Sequence, residues 1–202
     1  MADQDILIGP GRLYRAPVGE ANPDESTVAY GAAWGGNWVD MGDFVEGQPV
    51  TIGINETFYD VYTEQSTVPK NSVRTRRETI IKTSLIEHSV ANLAIVLQGT
   101  AETTAAAGGG QKGFSEIPFG SQSDVDFYKW GVEGLRVDSA GANQPVRYFF
   151  HKGRIRLAGD VNFAKQKETG IPIEIMVLGD GTQSAGEEIG ILQVVTSAAT
   201  ST

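Results

Sequence analysis

The sequence predicts a mainly β protein: a β-sandwich or small barrel with one flanking α-helix and a long projecting β-hairpin arm. Three observations carry this. About eight to ten segments alternate with the two-residue period of strands. A single segment has helical spacing. One strand candidate, 73–87, would span about 50 Å, against the usual ~17–20 Å of a strand. The chain has 202 residues and is 40% hydrophobic, enough for one packed domain. We expect one domain over 1–202, with the arm at about 48–87, the helix at about 88–98, a flexible insertion at about 99–123 and a loose tail at about 196–202.

In chain order, residues 5–18 read as two short strands around a Gly9-Pro10-Gly11 break. Residues 19–36 are rich in Gly, Pro, Asn and Ser and have no period, so they read as loop. Residues 37–46 form a strand candidate that Gly47-Gln48-Pro49 turns, and 50–54 leads into the arm. In the arm, Tyr59 and Val61 share one face, and Phe58, Asp60 and Tyr62 the other. Pro69 and Asn71-Ser72 carry turn chemistry, which places the hairpin turn across 65–72. From Arg74 to Glu78 both faces are charged or Thr, and from Thr79 to Ile86 the residues turn apolar. The distal half should therefore project and the proximal half pack.

Helical spacing follows at Val90, Leu93, Ala94 and Leu97, with Ser89 placed to cap the start and Gly99 the end. Residues 99–123 contain GTAETTAAAGGGQKG, a small-residue, low-complexity linker. Strand character resumes at 124–137 and 146–158, where Arg154, Ile155, Arg156 and Leu157 alternate. In 171–178 Ile171, Ile173, Ile175 and Val177 alternate with Pro172, Glu174, Met176 and Leu178, which predicts a strand buried on most of both faces. A last short strand is expected at 191–195.

Composition excludes several classes. There is no Cys, so disulfide scaffolds, thiol catalysis and Cys-based zinc sites fall away. No apolar run approaches the ~18–20 residues that cross a membrane, and no signal peptide is visible in MADQDILIGPG. The net charge of −9 is uneven. Residues 1–69 hold eleven acids and two bases, and the remainder holds fourteen of each, so the excess lies wholly in the first third. A surface built from that third would repel nucleic acid.

The search for chemistry finds no constellation. His88 precedes the helix, and His151 reads as part of a hairpin beside Lys152-Gly153; neither has triad or metal spacing. GGGQKG around Lys112 lacks the Gly, the Ser or Thr and the preceding strand of a phosphate loop. Asp124 and Asp126 share a strand face without the spacing of a calcium loop, and Glu187-Glu188 lie in a loop. No catalytic, cofactor or metal residue is assigned, and no membrane partner. Arg74, Arg76, Arg77 and Lys82 could suggest nucleic acid. With the turn at 65–72, cross-strand pairing sets Glu64 near Val73 and Asp60 near Arg77, which accounts for much of the cluster.

An arm with exposed edges needs a partner. The order of segments then resembles a known family: IGPGRLYRAPVG, NWVDMGDFVEG, EQSTVP, RTRRETIIKTSLIEHSVANLAIVLQG, FFHKGRIRLAGDVNF and GIPIEIMVLGDGT. Over residues 8–180 the chain is similar to the major tail tube proteins of long-tailed, non-contractile bacteriophages. The resemblance implies a structural virion protein, made in the host cytoplasm, that self-assembles into stacked hexameric rings. The tube is the conduit for genome delivery, and DNA passes through it without specific binding. It implies partners in other copies of the chain and in the tail proteins at the tube ends. It places the subunit interface on the arm (Phe58, Tyr59, Val61, Tyr62, Arg74, Arg76, Arg77) and a negative lumen among Asp40, Asp43, Glu46, Glu56 and Asp60. The alternatives are a secretion-system tube, a decoration protein, or a small-molecule-binding β-barrel of regular up-and-down strands.

Overall fold

The computed structural model describes residues 11–24, 28–99, 102–105, 108–110, 112–120, 125–137, 141–163 and 168–196. The expected first strand before Gly11, the end of the tail and parts of the 99–123 insertion lie outside the described residues.

The protein is mainly β with one helix. The strands are β1 (Arg12–Pro17), β2 (Val39–Asp40), β3 (Thr51–Thr63), β4 (Ser66–Leu85), β5 (Glu102–Ala105), β6 (Phe114–Glu116), β7 (Tyr128–Val137), β8 (Asn143–Leu157), β9 (Ile171–Leu178) and β10 (Gly190–Val194), and the helix is α1 (Val90–Val96). An eight-stranded sheet runs β2-β1-β7-β8-β9-β4-β3, with β10 also on β8. Every pairing is antiparallel. Strand β8 changes neighbour along one edge, from β10 at residues 146–150 to β9 at 152–157. The 99–123 segment contains the separate hairpin β5–β6.

The sheet is curled so that Ile52 of its last strand, and Val50 just before it, pack on the same core as Trp130, Val132 and Ile155. Strand β9 supplies Ile171, Ile173, Ile175 and Val177, all nearly inaccessible. Each such side chain stabilises by about 1.5–3 kcal/mol. The other face of β9 is less buried than its apolar sequence suggests: Pro172, Met176 and Leu178 are half-exposed and only Glu174 is covered. Of the strand candidate 37–46, β2 and an isolated Phe44–Leu85 bridge form.

Helix α1 starts where Ser89 Oγ accepts the Asn92 N–H at 3.1 Å. Its end differs from expectation. Gln98, not Gly99, adopts the left-handed conformation, with φ 55°. The Gly99 N–H reaches Ala94 O at 2.8 Å and the Gln98 N–H reaches Ile95 O at 3.2 Å, a Schellman close. The Gln98 side chain stays useful there, donating to Ile155 O at 3.3 Å and accepting from the Asp126 N–H at 3.0 Å. The buried face is Asn92, Ile95 and Val96, while Leu93 and Leu97 are half-buried and Val90 is exposed. Apolar spacing alone misses this rotation because Asn92 points inward to donate to Met41 O at 3.1 Å.

The hairpin register also differs. Thr63 faces Ser66, so the turn is the two residues Glu64-Gln65. Residues 67–70 stand opposite Tyr62 alone, as a bulge that accommodates Pro69, which has no N–H for a ladder. The turn chemistry of this stretch therefore marks the bulge. As a result Asp60 faces Ser72, Tyr59 faces Val73 and Glu56 faces Arg77, in place of the expected Asp60–Arg77 and Glu64–Val73 pairs.

Candidate functional site

Strand β4 is anchored on β9 only over residues 79–85, with β3 on its other side as far as Lys82. Thr79, Ile81, Thr83, Ser84 and Leu85 are buried there. Residues 66–78 pair with β3 alone, and the opposing residues 55–63 carry the hairpin about 30 Å beyond β9. Both faces of this extension are open to solvent. Tyr59 is 65% exposed, Tyr62 59%, Phe58 53% and Val61 37%, and Val68 and Val73 are exposed beside them. Tyr59 pairs with Val73, while Phe58 and Tyr62 lie on the opposite face, so neither face has a core to rest on.

The arm's three arginines are already matched within the hairpin. Arg74 donates to Glu56 Oε1 at 2.9 Å, Arg77 Nε lies 3.3 Å from the same oxygen, and Arg76 pairs with Glu78. Exposed pairs of this kind contribute about 0–1 kcal/mol each, so they set register more than stability. The five acidic candidates do not form one cluster. Glu56 is neutralised as above, and Asp60 accepts from Ser72 Oγ at 2.6 Å on the arm. Asp40 lies 3.3 Å from Arg12 on the far edge of the sheet. Asp43 and Glu46 are exposed in the segment that follows.

The structure adds a buried anchor that the sequence reading did not assign. Glu133 of β7 and Arg147 of β8 are cross-strand partners, both fully buried, with Nε 3.1 Å from Oε1. Glu133 also accepts from the Gly31 N–H at 2.9 Å and from Trp34 Nε1 at 3.4 Å. Arg147 donates to Val28 O at 2.6 Å and lies over the Trp34 ring. The pair thus fastens residues 28–38 over the second face of β1, β7 and β8. Trp34 stacks on Tyr14 at 4.0 Å and meets Trp38 and Phe149. Gly131 makes room for it, since a Cβ there would lie 2.3 Å from Trp34 Cζ3. The available signal was a charge of each sign at inward positions of two adjacent apolar strands.

His151 lies inside β8, the second strand of the β7–β8 hairpin. Gly153 belongs to the strand because a Cβ would press within 2.9 Å of Trp130 Cδ1. His151 is buried beside a small cavity lined also by Lys129, Asp180, Gln183 and Glu20. Burial, and then the Lys129 ammonium, push its pKa below the ordinary 6.5, against opposing pulls from Asp180 and Glu187. The unfolded chain therefore binds a proton more readily than the folded one, so this group removes stability as pH falls through about 6.5. His151→Gln should flatten the fall of the urea midpoint between about pH 7 and pH 5.5. An unchanged slope would show that His151 does not carry it.

Among the described residues no group of three or more His, Asp or Glu could hold a metal ion, and no helix is long and apolar enough to cross a membrane. None of the curated proteins compared matches the chain. A family model described as phage tail tube protein matches residues 1–188.

Proposed function

The chain belongs to the phage tail tube protein family, a family of structural virion tail components and not of enzymes. From that premise we propose that it assembles as six-membered rings that stack into the tube of a long, non-contractile tail, with the genome passing down the channel. The observation that carries this reading is the hairpin extension, exposed on both faces and aromatic on each. An isolated domain gains nothing from such an arm, and its open edges invite pairing with another chain. Ordering costs about 1–2 kcal/mol per backbone residue, which weak surface ion pairs do not offset. Phe58, Tyr59, Val61 and Tyr62 therefore supply the main part of the subunit contact, with Arg74, Arg76 and Arg77 setting register and partner choice.

The channel wall is negative, drawing on the acidic first third. Glu56 adds little net charge because Arg74 and Arg77 neutralise it. A negative wall makes no cation contacts to phosphate and so gains no counterion-release affinity for DNA. Electron microscopy of concentrated protein tests the reading. Tubes with a central channel and six-fold end views are expected, and dispersed monomers at all concentrations would overturn it.

A further inference from the structure

The outer face of β8, β9, β4 and β3 is a platform distinct from the arm. The register stacks Arg156, Glu174, Lys82 and Thr51 in one row across the four strands, and Arg154, Met176, Ile80 and Gly53 in the next. Lys152 stands one step further along β8, opposite Leu178. Alternation turns these side chains away from Ile155, Ile175 and Ile81, which lie in the core.

Charge on this face is unbalanced. Glu174 holds both Lys82, at 3.3 Å, and Arg156. Arg154 donates only to the Met176 thioether, at 3.7 Å, and the Lys152 ammonium lies over the Phe127 ring at 4.6 Å. Neither makes an ion pair among the described residues, so the four cations of these rows share Glu174 alone, because Glu78, next along the same face of β4, is held by Arg76. Half-buried Met176, Ile80 and Leu178 lie between them, giving a contact part of its apolar surface.

The complementary charge sits elsewhere on the chain. Residues 43–45 run beside 84–86, joined by the Ile86 N–H to Asp43 O at 3.0 Å and the Val45 N–H to Ser84 O at 2.9 Å. Asp43, Glu46 and Glu87 are exposed along this edge and make no ion pair among the described residues. Scattered surface charge is ordinarily just solvated. Here the unmatched charges are segregated by sign into two separate patches.

We propose that the platform around Arg154 and Lys152 docks on the acidic Asp43, Glu46 and Glu87 edge of a second copy of this chain. Each copy lends one patch and receives the other. Such a heterologous contact closes into a ring when its rotation allows. The inference rests on the tube reading and refines it, taking Asp43 and Glu46 out of the channel wall and into the subunit contact.

The test follows light scattering, electron microscopy and thermal melting on four proteins. They are wild type, Lys152→Glu/Arg154→Glu, Asp43→Lys/Glu46→Lys, and the combination of all four changes. Each double reversal should slow assembly about ten-fold or more at low salt. The combination should restore the wild-type rate, with monomer melting unchanged throughout. The acidic-edge variant keeps the test open should the platform variant fail to fold. If wild type forms tubes and both reversals assemble equally fast, this contact is wrong and the tube reading stands. If wild type forms none, the tube reading itself fails. Lack of rescue in the combined variant overturns the contact. So does duplex DNA binding by wild type that the platform variant loses, since that would make phosphate the partner.

Discussion

Glu133→Gln is expected to lower the stability of the protein by about 3–5 kcal/mol, because it leaves the fully buried Arg147 guanidinium without its countercharge. For a chain of this size that is a drop of about 6–20 °C in melting temperature. The effect extends beyond one contact. Glu133 also receives the Gly31 and Trp34 N–H groups, and Arg147 holds Val28 O, so the covering segment 28–38 loses its fastening. Arg147→Met should be similarly damaging, for the mirror-image reason: a buried carboxylate keeps two donors but loses its cation. The double change Glu133→Leu/Arg147→Met should cost clearly less than the two single effects added, since no charge is then stranded. Urea unfolding of the three variants gives the coupling energy. A Glu133→Gln protein within about 1 kcal/mol of wild type would mean that water or a rearranged partner compensates Arg147.

The second large effect concerns assembly. Ile54 faces Thr79 across the hairpin, and Thr79 is where β9 begins to pair with β4. Residues 55–78 can therefore be excised and the strands rejoined through an Asn-Gly turn, which suits a two-residue hairpin. We expect the melting temperature to change little, because the removed residues are nearly all exposed and lie beyond the core. Tube formation should be abolished. Arg76→Glu makes a gentler version of the same test. That side chain is 68% exposed and pairs only with Glu78, so reversal should slow assembly without touching the fold. Tubes from the excised protein, seen by electron microscopy, would show that the arm is not the assembly element. A collapsed melting temperature would show that the hairpin belongs to the core after all.

Much of the architecture is set locally and is readable without coordinates. The period-two alternation of 171–178 produces a core strand because successive side chains must point to opposite faces. The switch from charged to apolar residues after Glu78 coincides with the point where β4 becomes sandwiched. Ser89 caps α1 through its own hydroxyl, a contact three residues long. The family order of segments also survives as linear text, which is why the resemblance and the family match agree.

What tertiary structure alone decided has a common cause: energies set by residues far apart in the chain. The turn at Glu64-Gln65 carries no turn signature, and its position follows from the ladder that Thr51 to Val61 make with Asn71 to Lys82. The Gly-, Pro- and Ser-rich stretch that reads as loop becomes a covering layer because Trp34 finds Tyr14, Gly131 and Phe149 beneath it. Helix α1 turns Asn92 inward because Met41 O waits there. Glu133 and Arg147 are tolerable inside only because strand pairing sets them face to face. Desolvating either alone costs several kcal/mol, and only the register of the β7–β8 hairpin brings the two together.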